Sequence, residues 1–146
     1  MDRLDKKFAD RNIKSIFIYT HEAHPGENFP HHTSFEQKMD HASQFKKLFK
    51  INRQILVDNL AGDCHRAYGS MPNMSWIIDK RGRPVYKADW TDYVSVAETI
   101  EKYLSMRDAG KEYRLSFATF NVHRLEYREQ DRNAFMKVLK MSGTKA

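Results

Sequence analysis

The apolar pattern of this chain predicts an α/β fold, a mixed sheet flanked by helices. Two observations carry that expectation. Stretches with helical spacing alternate with short runs of β-branched and aromatic residues. Two of those runs are separated by only Lys80-Arg81-Gly82-Arg83, a connection too short for anything but an antiparallel pair. With 146 residues, 40% hydrophobic and 30% charged, the chain has a globular balance at the size of one domain.

Each element has its own signal. Leu4 and Phe8 lie four apart on one helical face, and Asn12 is a helix stop. Ser15–Thr20 reads as a strand, apolar on both faces like a buried parallel one. The loop His21–His32 follows, with two prolines, one glycine and four histidines. Thr33 or Ser34 caps the next helix, with Glu36 and Gln37 at capping-box spacing. Phe35, Met39, Ala42, Phe45 and Phe49 are its expected buried stripe. Gln54–Asp58 is a second strand, and Asp63–Tyr68 a short helix closed by Gly69. Met74–Asp79 and Pro84–Ala88 form the hairpin, with Trp76, Ile77 and Ile78 expected in the core. Thr91 or Asp92 caps a helix that buries Val96, Ala97, Ile100, Tyr103 and Leu104, with Trp90 and Tyr93 packed beneath it. Leu115–Val122 reads as extended and Asp131–Met141 as helical. Residues 1–106 are the expected principal domain. Residues 107–146 are an extension whose apolar face (Phe135, Met136, Val138, Leu139) docks on the domain or on a partner copy in a homodimer.

Charge and cysteine content exclude several functions. The net charge is +6 with a pI near 9.4, but basic and acidic residues are interleaved and no basic run of nucleic-acid type occurs. Neither a membrane span nor a signal peptide is evident, so a cytoplasmic protein without nucleic-acid or membrane partners is expected. Cys64 is the one cysteine, which rules out an internal disulfide or a Cys-x-x-Cys pair within these residues.

Ala67-Tyr68-Gly69-Ser70-Met71-Pro72, followed by Trp76–Gly82, resembles the second half of thioredoxin-like proteins. There a short helix ending in Tyr-Gly leads to a proline, a buried strand and an Asp-x-x-Gly turn. The resemblance implies a cis bond between Met71 and Pro72 and a substrate-binding place for both. Upstream, Tyr19-Thr20-His21-Glu22-Ala23-His24-Pro25 resembles the strand-exit motif of iodothyronine deiodinases. Pro30-His31-His32-Thr33-Ser34-Phe35-Glu36 is similar to their later histidine and helix start. The resemblance spans about residues 2–106, and the short Pro-Gly-Glu loop is closest in character to bacterial deiodinase-like proteins.

That family implies a redoxin that reductively dehalogenates a small aromatic substrate, with no bound cofactor and a thiol reductant as co-substrate. His24 and His32 are then the acid/base and polarising groups, and Glu22 the carboxylate that orients them. The family's first strand and its Cys or Sec nucleophile have no counterpart here and are expected upstream of Met1. The alternatives are a non-catalytic thioredoxin-fold binding or assembly module, and a peroxide or disulfide reductase. The histidine-rich loop also raises the question of a metal. His21-Glu22-Ala23-His24 is not His-Glu-x-x-His, however, and the nine-residue step from His32 to His41 is no known ligand spacing, so no metal is expected. Cys64 sits at a helix start beside Asp63, which opposes thiolate formation, and is expected to be a structural thiol.

Overall fold

The computed structural model describes residues 1–113 and 131–143. They form an α/β chain that divides into two compact units, residues 1–72 with 127–146, and residues 73–126. The segment 115–122, expected to be extended, lies outside the described residues.

In the first unit, helix α1 (Asp2–Lys7) has acidic residues in its first turn and lysines in its last, as the helix dipole favours. Leu4 and Phe8 are buried. Asp5 Oδ1 accepts the Ser15 N–H at 2.9 Å. Asp2 accepts the Asn52 N–H at 2.9 Å and Arg53 Nε at 2.7 Å. The helix is thereby tied to the entrances of both following strands. After a 3₁₀ turn, Asn12 adopts the left-handed conformation and ends the helical run. Strand β1 (Ile16–Tyr19) pairs in parallel with β2 (Gln54–Val57), Phe17 opposite Ile55 and Tyr19 opposite Val57. Parallel neighbours need a crossover, which α2 (Phe35–Leu48) supplies.

Ser34 caps α2, its Oγ accepting the Gln37 N–H at 3.1 Å. The Gln37 side chain reaches back to the Thr33 N–H at 2.8 Å, one residue before the usual capping-box partner. The buried face of α2 differs from the expected stripe. Phe35, Met39 and Phe49 are exposed, while Lys38, His41 and Ala42 are buried. Two polar residues turn inward because each meets groups outside the helix. Lys38 Nζ donates to the Asn59 carbonyl at 2.8 Å, and the His41 ring packs edge-on against Phe29 at 5.3 Å. Phe45 completes this face by stacking on Phe17 at 5.4 Å. The opposite face of the strand pair is open, with Ile16 and Leu56 exposed, so β1 is not buried on both sides as its composition implied.

Helix α3 (Asp63–Tyr68) ends, as expected, at Gly69, whose φ of +117° is left-handed. The Met71–Pro72 peptide is trans; no cis bond occurs among the described residues. The proline there is exposed, and no packing around it selects the cis form over the intrinsically favoured trans one. Helix α5 (Arg132–Ser142) is capped by Asp131 and packs on the first unit. Asn28 holds its C-terminus, donating from its backbone to Ser142 O at 2.9 Å and from its side chain to Met141 O at 3.0 Å.

The second unit contains the hairpin of β3 (Ser75–Ile78) and β4 (Pro84–Ala88), antiparallel as expected, with a register shift at Ile77/Ile78. Asp79 organises its turn, accepting the N–H groups of Arg81 at 2.8 Å and Arg83 at 2.9 Å as well as the Arg83 side chain. Helix α4 (Tyr93–Tyr113) starts at Asp92, whose carboxylate accepts the Ser95 N–H at 2.7 Å. Val96, Ala97, Ile100 and Leu104 form the core of this unit. Tyr103 is half-buried, Trp90 and Tyr93 are exposed, and Ile78 is exposed rather than central. Among the described residues each unit holds one two-stranded sheet, parallel β1-β2 in the first and antiparallel β3-β4 in the second.

Candidate functional site

The site lies where β1 ends. Strand alternation sends Tyr19 to the same face as Phe17, toward α2, and its ring packs on Phe45 at 5.9 Å. Tyr19 is buried, yet its hydroxyl has two polar neighbours. It donates to Glu22 Oε1, three residues on, and lies 3.5 Å from His32 Nε2. The His32 ring stands edge-on to Tyr19 at 5.7 Å and 5.1 Å from the ring of His41. His41 comes from the second turn of α2 and is 6% exposed. Its Nδ1 is buried with no hydrogen-bond partner. One donor atom each from Glu22, His32 and His41 fall within 4.8 Å of one another.

His32 also lines a cavity of about 270 Å³, together with His21, His31, His65, Lys38 and Arg66. Its wall is cationic or imidazole on most sides. Below it Asp58, buried at the end of β2, accepts the N–H groups of Asn59, Cys64 and His65 and so holds the start of α3. The His21 and His65 rings meet at 4.6 Å, and His65 Nε2 is 3.1 Å from the Met71 carbonyl oxygen.

Burial sets the protonation states. It lowers His32 to about 4, with His41 and Lys38 adding repulsion, so the imidazole is neutral near pH 7. Burial and the neighbouring His65 likewise lower His21. Lys38 is lowered by burial, against the attraction of Asp58. Tyr19 is raised by burial and by its bond to Glu22, so the phenol keeps its proton. Cys64 is raised by burial and by Asp58, which leaves it a thiol.

Of the residues singled out from sequence, Glu22 and His32 are brought together. His24 is exposed on the other side of the loop, its ring edge-on to Phe135 of α5 at 5.9 Å. Met71 and Pro72 are exposed, with the Met71 carbonyl facing His65. Tyr19, Lys38 and His41 were not expected in a site. The available signal was the spacing of Lys38, His41 and Phe45 on one helical face, two polar residues along an otherwise apolar stripe.

No known protein family, curated protein or solved structure matches this chain. Among the described residues, no helix is long and apolar enough to cross a membrane.

Proposed function

We propose that the chain belongs to a deiodinase-like redoxin, a cytoplasmic thioredoxin-fold protein that reductively dehalogenates a small aromatic substrate at the expense of thiols. The observation that carries this reading is the Tyr19 hydroxyl held between Glu22 and His32 at the end of β1. The strand-exit resemblance supplies Tyr19 and Glu22, and the later histidine segment supplies His32; the strand-exit histidine itself, His24, stands apart against Phe135. In the reaction a thiolate or selenolate takes the iodine, and the electron pair of the C–I bond stays on carbon, which takes up a proton. Two thiols then cleave the chalcogen–iodine bond, giving a disulfide and iodide. The resemblance puts the nucleophile on a Cys or Sec outside residues 1–146; Cys64, whose thiol burial and Asp58 push up, has no counterpart in it. Tyr19 keeps its proton and links Glu22 to His32, the neutral His32 polarises the substrate's phenol oxygen, and the proton taken up by carbon is one that the thiols release.

The unactivated Cys64 also favours a second reading, a non-catalytic binding or assembly module on the same fold. One experiment separates the two. The chain, extended upstream through a Cys or Sec loop, is assayed for iodide release from an iodinated phenol with dithiothreitol. Thiol-dependent iodide release that falls at least about tenfold in Glu22→Gln supports the enzyme. Reduction of peroxide or disulfide without iodide release selects the third possibility, a general reductase, and no turnover selects the binding module.

A further inference from the structure

We propose that Glu22, His32 and His41 form a binding site for a divalent transition-metal ion of the zinc type. The three residues come from separate places, Glu22 beyond β1, His32 before α2 and His41 within it, yet their donor atoms lie within 4.8 Å of one another. The second, independent observation is His41 itself. It is 6% exposed, and its Nδ1 is buried without a hydrogen-bond partner. Buried polar atoms are almost always paired, and an orphan of this kind calls for a ligand.

The donor set is chemically apt. Two imidazoles and one carboxylate make a three-ligand zinc site with a fourth position open. In a tetrahedral sphere with bonds near 2.1 Å the donor atoms are about 3.4 Å apart, so this cluster closes by a little over 1 Å on binding. Glu22 and His32 are only half-buried and have room to make that adjustment. Tyr19 donates to Glu22, the kind of outer partner that fixes a ligating carboxylate. His32 also lines the cavity, which places the open position within reach of a small ligand there. Lys38 is the opposing charge; its ammonium is engaged by the Asn59 carbonyl and attracted by Asp58. The proposal needs no redox nucleophile and stands whether or not the chain dehalogenates.

The test is a Zn²⁺ titration of the chelator-stripped chain in competition with a chromophoric chelator. One ion per chain is expected. Glu22→Gln and His41→Gln each weaken binding by at least about 100-fold, and Tyr19→Phe, which loses an outer partner, by about tenfold. His65→Gln, on the cavity wall but outside the three, leaves it unchanged. Because His41 is buried and its variant could misfold, Co²⁺ is also added to the unsubstituted chain. An intense tetrahedral visible spectrum, displaced by Zn²⁺, is expected. A weak octahedral spectrum, binding unaffected by Glu22→Gln, or equal loss in His65→Gln would each overturn the proposal and indicate diffuse histidine binding.

Discussion

Replacing Asp58 by asparagine perturbs the support beneath the site while nearly preserving shape. Its carboxylate accepts the N–H groups of Asn59 at 2.9 Å, Cys64 at 3.0 Å and His65 at 2.9 Å. The first two go to Oδ1 and the third to Oδ2, so an amide can serve one side only. With its oxygen toward Asn59 and Cys64, its NH₂ group confronts the His65 N–H. One bond to a charged acceptor, worth about 1.5–3 kcal/mol, is lost and a donor is left unpaired, for a total of about 2–4 kcal/mol. The pH dependence gives a second handle. Burial alone would raise Asp58, but the three N–H groups and the charge of Lys38 outweigh it and hold the carboxyl below its ordinary 3.8. A depressed carboxyl stabilises the fold fully above the unfolded value, and this contribution is lost as pH falls through the lower folded value. Wild type and Asp58→Asn therefore differ by the full amount at pH 7, and the difference begins to shrink as pH falls below about 3.8. Trp76 and Trp90 lie in the other unit, so the assay is urea unfolding followed by far-ultraviolet circular dichroism, with amide exchange at Cys64 and His65 as the local readout. A difference under about 0.5 kcal/mol at pH 7, or an equal difference at pH 3, would refute the reasoning.

Two further expectations are simpler. Gly82 has a φ of +80° and open space where a Cβ would stand, so Gly82→Ala costs only the backbone term, about 1 kcal/mol, read from tryptophan fluorescence of the 73–126 unit. Cys64, raised above the ordinary thiol value of 9.0 by burial and Asp58, reacts with iodoacetamide at pH 7.5 more slowly than free cysteine, and Asp58→Asn speeds it.

Local features were the legible ones. The Ser34 cap, the left-handed Asn12 and Gly69, the Asp79 turn and the apolar face of α4 are each decided by residues within a few positions of one another. Features that depend on a distant partner were not. The inward face of α2 is set by Asn59 and Phe29, not by its own apolar spacing, so Met39 faces solvent and Lys38 does not. The same holds for the site. Glu22 and His32 could be named from a motif, whereas His41 joins them only because α2 folds back over the end of β1. His24 stands in the same strand-exit motif as Glu22, whereas His32 comes from the later segment, and the loop turns His24 toward α5.

Both functional readings rest on the cluster of Tyr19, Glu22, His32 and His41, and imidazole titration by NMR tests it most directly. The account predicts that His32 gains its proton only as pH falls to about 4. In His41→Gln its titration moves up, because one source of repulsion is removed. A His32 resonance that titrates near 6.5 and ignores the substitution would show an exposed loop histidine and contradict the account.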